Sequence, residues 1–140
     1  MRIMAIDYGA ARTGVAVSDA LGMLAGYTTV IQSRRLETVV EELTRLAREH
    51  GAEELVLGYP KNMNNTLGEK ALACEALADA LRERTGLPVT LWDERLTTVD
   101  AHRILHANGR REKKHRKNVD AVAATLILEG YLNFRRMQNP

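Results

Sequence analysis

Two periods of apolar residues run along this chain. Ile3-Met4-Ala5-Ile6, Val15-Ala16-Val17, Leu24 to Ile31 with its β-branched stretch Tyr27-Thr28-Thr29-Val30-Ile31, Leu55-Val56-Leu57 and Val89 to Trp92 are short, branched runs that predict five strands. Leu36, Val39, Val40, Leu43 and Leu46-Ala47 instead recur at helical spacing, with Gly51 ending the pattern. A second helix is expected from about Glu69 to Arg84, stopping at Gly86 and Pro88. Thr97 followed by Asp100 resembles a capping box for a third helix that stops at Asn108-Gly109. From Val119 to Leu132 almost every residue is apolar or small, which predicts a last helix buried on most of its circumference.

The predicted order is three strands, helix, strand, helix, strand, helix, helix. Short connections make the first three strands an antiparallel meander, and strands separated by helices should be parallel. The expected fold class is therefore α/β, a mixed five-stranded sheet flanked by helices, in one domain spanning residues 1–140. Sites in such sheets lie at the carboxyl ends of strands. Asp7 follows the first apolar run, with Gly9 and Gly14 bracketing a turn, and Asp93-Glu94 follows the fifth. Both strands are apolar enough to be central. Gly58-Tyr59-Pro60 is expected to break the fourth strand into a polar loop from Lys61 to Gly68.

Asp120 is a third acid, in the first turn of an otherwise apolar helix. The macrodipole alone would favour it there, but a carboxylate at a buried surface needs a cation or hydrogen bonds. Three acids from separate segments at the edge of the core would repel one another unless a divalent ion lay between them. Phosphodiester hydrolysis by two metal ions, Mg²⁺ or Mn²⁺, uses this arrangement and needs no side-chain nucleophile. His102 and His106 have zinc-compatible spacing but no evident third ligand.

Composition changes the picture mainly through charge. The net charge is only +2, yet residues 110–117 carry +5, which leaves −3 for the rest. A mildly acidic body with one concentrated basic segment suits a polyanion, and Arg110, Arg111, Lys113, Lys114, Arg116 and Lys117 are its candidate phosphate contacts. The 45% hydrophobic content is that of an ordinary globular protein, and the single Cys74, set among apolar residues at helical spacing, reads as core. There is no apolar stretch of membrane-spanning length and no signal-peptide pattern at the N-terminus, so the expected location is the cytoplasm, without a membrane partner.

These residues resemble the YqgF-type, or RuvX-type, Holliday junction resolvases, also described as pre-16S ribosomal RNA nucleases, which have a ribonuclease H-like fold. The resemblance rests on Asp7-Tyr8-Gly9 with Arg12 to Asp19, Gly58 to Met63 with Gly68, Trp92 to Thr98, and Val119 to Ala124 with Gly130-Tyr131-Leu132. It covers nearly the whole chain. It implies that Asp7 and Asp120 are metal-binding catalytic acids and that Asp93-Glu94 supplies the third. Glu94 is preferred and Asp93 second, because strand alternation sends the two to opposite faces. Lys61 stands where the family is often apolar.

Arg12 and Arg95 adjoin the acidic motifs and suit bidentate phosphate contact, or surface ion pairs; Asn62 could orient substrate or cap a helix. Tyr8, Tyr59 and Trp92 adjoin the same motifs, where core packing is the ordinary role and stacking on an unpaired base the alternative. The expected substrate is ribosomal RNA precursor first, in a ribosome-assembly context, and branched DNA second; junction cutting would favour a homodimer. A non-catalytic nucleic-acid-binding module is the reading from another class. A sugar-kinase-like phosphate turn is a third, although such ATPases need a second comparable domain.

Overall fold

The computed structural model describes residues 1–22, 25–59, 68–93 and 119–138, with backbone alone for 119 and 120. Strands β1 (Ile3–Tyr8), β2 (Arg12–Ser18) and β3 (Ala25–Gln32) lead to helix α1 (Leu36–His50). Strand β4 (Glu54–Tyr59), helix α2 (Glu69–Thr85), strand β5 (Val89–Asp93) and helix α3 (Val119–Gln138) follow. The sheet has the order β3-β2-β1-β4-β5, with β1-β2 and β2-β3 antiparallel and β1-β4 and β4-β5 parallel. This is the expected mixed α/β sheet, its first three strands antiparallel and its faces covered by helices, as the resemblance to a ribonuclease H-like fold implies.

Alternation along the strands divides the core in two. Met4, Ile6, Val15, Val17, Leu55 and Leu57 face one side, where they meet Val39, Val40, Leu43, Leu77 and Leu81 of α1 and α2. Ile3, Ala5, Ala16, Val56 and Trp92 face the other, under Ala124, Ile127, Leu128, Tyr131 and Leu132 of α3. Gly51, at φ +65, ends α1 in the left-handed conformation, and its N–H donates to the carbonyls of Ala47 and Arg48.

Four features differ from the sequence reading. Strand β1 continues past Asp7 to Tyr8, and Gly14 lies inside β2 opposite Asp7, so the hairpin turn is confined to residues 9–11. Gly58 and Tyr59 do not break β4; they pair with Trp92 and Asp93, because a paired neighbour overrides the low strand propensity of glycine. Strand β5 is an edge, not a central strand. Its apolar character comes from the helices that cover it, Trp92 packing on Tyr131 and Phe134 of α3. Helix α3 runs six residues beyond Leu132, and its buried region ends there as expected. The helix expected between Thr97 and Asn108 lies outside the described residues. Among the described residues no helix is long and apolar enough to cross a membrane.

Candidate metal centre

Asp7 is half-buried near the carboxyl end of β1, the middle strand of the sheet. It shares parity with Ile3 and Ala5, so it projects from the face that α3 covers. Its partner on β2 is Gly14. On the other side Ile6 is level with Leu57, so the next position along β4 is Gly58. The acid is thus flanked on both neighbouring strands by residues without side chains. Below it, Ala5 and Ala16 are 0% exposed, giving a floor of small residues beneath one fixed carboxylate.

The direction of α3 follows from its far end. Arg135 bonds to Glu54, the first residue of β4, and lies against Met1. The helix therefore runs antiparallel to β1 and β4. Fifteen residues back from Arg135, at about 1.5 Å each, is roughly 22 Å along the helix, comparable with the length of β1 and its lead-in at about 3.3 Å per residue. That brings the first turn of α3, with the backbone of Asp120, to the sheet edge where Asp7 stands. Position 120 also precedes Ala124, Ile127 and Tyr131 at helical spacing, and those three face the sheet.

Asp93 goes the other way. It pairs with Tyr59, which belongs to the core under α1 and α2, so Asp93 leaves the sheet on the face opposite Asp7. Arg12 is exposed at the start of β2 and shares parity with Gly14 and Ala16, which places it on the Asp7 side. Glu94, Lys61, Asn62, Arg95, and the basic residues Arg110, Arg111, Lys113, Lys114, Arg116 and Lys117 lie outside the described residues, as does the side chain of Asp120. Among the described residues no three histidine, cysteine, aspartate or glutamate side chains converge. Asp7 offers carboxylate oxygens at this end, hard donors of the kind that Mg²⁺ and Mn²⁺ take.

The three aromatics beside the acids are core residues. Tyr59 and Trp92 are 7% and 8% exposed, and Tyr8 packs on the α1-α2 core. Burial pushes the Tyr8 phenol above its usual value, with a smaller contribution from Cys74. Base stacking by these rings is therefore not what their placement provides. The sequence pattern presents Gly14 as the far side of a turn beside Asp7 and Gly58 as a strand break, whereas the structure sets both level with Asp7 on the neighbouring strands. Their signal, two glycines level with an acid, emerges only when strand register is known.

Residues 1–134 match the family described as "RuvX: Holliday junction resolvase". The chain belongs to the RuvX family. Members of similar sequence include proteins named "Putative pre-16S rRNA nuclease" from Lachnospira eligens and Desulfitobacterium hafniense. The first is 44% identical over 139 residues, 97% of this chain and 99% of the relative. The second is 46% identical over 140 residues, 99% and 96% of the two chains. In three dimensions this RuvX chain resembles Thermus thermophilus RuvC, solved in complex with a Holliday junction substrate, with a TM-score of 0.75 over 99% of this chain and 97% of that one. At 15% identity that likeness establishes the RuvX fold and nothing further.

Proposed function

We propose that this RuvX chain is a metal-dependent nuclease that hydrolyses phosphodiester bonds, acting on the 5′ region of pre-16S ribosomal RNA. The observation that carries the reading is Asp7, held on the middle strand between Gly14 and Gly58 at the end of the sheet where α3 begins. The names of the relatives supply the substrate class. Asp7 and Asp120 would hold the ions, and Glu94 would be the third ligand. Asp93 is the weaker choice because it departs on the face opposite Asp7.

Two divalent ions bound there would supply an activated water and stabilise the leaving oxygen of an in-line displacement. The chain's own contribution is positioning. A strand paired on both sides fixes the Asp7 backbone, and the bare glycine positions leave room for a phosphate to approach its carboxylate. Arg12, on the same face, and Arg95 would take phosphate oxygens bidentately, Lys61 and Asn62 would contact substrate, and the 110–117 segment would track the backbone.

The family's own description favours a second reading, cleavage of four-way DNA junctions, which the same acids could perform. One experiment separates the readings. Pre-ribosomal RNA, a generic single strand and a four-way junction are incubated with Mn²⁺, Mg²⁺ or a chelator, using wild type and the folded variants Asp7→Asn, Asp120→Asn, Glu94→Gln and Asp93→Asn. Metal-dependent cutting, reduced at least 100-fold by the first three and within threefold of wild type for the fourth, is expected. Binding that survives the chelator with every polymer uncut would instead identify a non-catalytic binding module.

A further inference from the structure

The end of α3 remote from Asp120 is tied to the sheet by a single carboxylate. Glu54 Oε1 accepts from the Tyr131 hydroxyl at 2.6 Å and from Thr90 Oγ1 at 3.2 Å, while Oε2 pairs with Arg135 Nη1. The Glu54 side chain is only 12% exposed, and Arg135 is 37% exposed. Glu54 opens β4, which lies beside β1 with Ile3 as its partner, so this tie refers α3 to the strand pair that carries Asp7. Nearer the proposed centre the helix meets the sheet through Ala5, Ala16 and Ala124, all 0% exposed. Methyl groups allow close approach but interlock weakly along the helix axis, whereas directional hydrogen bonds resist sliding.

We propose that Glu54 is a positioning residue, setting where α3 sits along the sheet and thereby the separation of Asp120 from Asp7. The proposal rests on the reading of those two acids as metal ligands. A helix is stiff along its axis, so a displacement at Arg135 is carried to its first turn. A shift of 1 Å in a catalytic group costs about 100-fold in rate. The effect should fall on metal binding and turnover, because Glu54 is at the opposite end of the sheet from Asp7 and Arg12.

The test uses the full chain with Glu54→Gln, which keeps an acceptor but loses the ion pair, together with Tyr131→Phe, Arg135→Met and Arg135→Lys. Each is assayed at least 15 °C below its own melting temperature. Mn²⁺ affinity is read calorimetrically without substrate, and kcat and KM are read on the preferred polymer. Expected for Glu54→Gln and Arg135→Met are Mn²⁺ binding weakened about tenfold and kcat lowered 10–100-fold, with KM within twofold. Tyr131→Phe, which leaves the packing intact, should do the same to a smaller degree, and Arg135→Lys should recover most of the loss. Lower melting temperatures with Mn²⁺ affinity and kcat unchanged would overturn the proposal and leave the nuclease reading standing. A wild-type protein that neither binds Mn²⁺ nor cleaves would overturn that reading, and the role given to Glu54 with it.

Discussion

Gly9→Ala should damage the site more than the fold. The turn at residues 9–11 joins the strand of Asp7 to that of Arg12, and a Cβ built on Gly9 would stand 2.4 Å from the Arg12 carbonyl oxygen. Cβ atoms essentially never come closer than 3.0 Å to a non-bonded heavy atom beyond their own residue and its chain neighbours, so the hairpin end must open by at least about 0.6 Å. Neither partner can yield by rotating a side chain, because the obstructing atom is backbone. Spread over bond angles and torsions, such a distortion costs about 1–3 kcal/mol, a small part of the roughly 5–15 kcal/mol that holds a domain folded. Its geometric consequence is concentrated two residues away, where Asp7 pairs with Gly14. A displacement of about half an ångström in a metal-binding carboxylate should lower turnover by about tenfold. Gly51→Ala is the matched control. At φ +65 with nothing within 4 Å of the new Cβ, it should cost about 1 kcal/mol through its left-handed backbone alone, far from the proposed centre. Urea unfolding followed by circular dichroism gives the two stabilities, and single-turnover Mn²⁺-dependent cleavage gives the two rates. The expected pattern is comparable destabilisation with a tenfold loss only for Gly9→Ala. Equal rates for the two variants, or a Gly9→Ala protein as stable as wild type, would refute the reasoning.

Two further outcomes are expected. Changing Arg110, Arg111, Lys113 and Lys114 to serine should make a plot of log Kd for single-stranded RNA against log salt, measured in chelator, shallower by about 3, at about 0.7 per lost phosphate contact; an unchanged slope would remove that segment from the interface. Stability should also fall as pH rises above about 10. Burial raises the Tyr8 and Tyr131 phenols above their usual 10.0, helped by Cys74 and by the Glu54 bond respectively. The folded state thus keeps protons that the unfolded chain releases, so stability is full below the unfolded value and is lost as pH climbs through the folded ones. Urea midpoints between pH 8 and 11.5 should record this fall, Tyr131→Phe should flatten it, and a midpoint constant to pH 11 would contradict it.

Much of this architecture is legible in the sequence because each element answers to a local rule. The 3.6-residue spacing from Val39 to Ala47 defines the buried side of α1, and short branched runs mark all five strands. What is not legible depends on partners distant in the chain. Gly58 looks like a strand breaker until Trp92 pairs with it, and the apolar run at Val89 to Trp92 looks central although it is the last strand of the sheet, its apolar side chains buried by helices packed on the sheet faces. The choice between Asp93 and Glu94 needs the register that puts Tyr59 opposite Asp93. The anchoring role of Glu54 has no sequence signal, since Thr90, Tyr131 and Arg135 are brought to it across 36, 77 and 81 residues.

The antiparallel seat of α3 on the middle of the sheet also fixes when the protein can become itself. Asp7 and Asp120 are 113 positions apart in the sequence, and the strand bearing the first is made at the start of translation. At about 5–20 residues per second, on the order of ten seconds pass before the second acid is added. During that interval Ile3, Ala5, Ala16 and Val56 lack the helix that covers them, so the growing chain carries an uncovered apolar sheet face and only part of its charge constellation. Helix and acid then arrive together. On the proposed reading of the two acids, a chain built this way would be inert beside the RNA of the ribosome making it, and closing its core would be the same event as completing its centre.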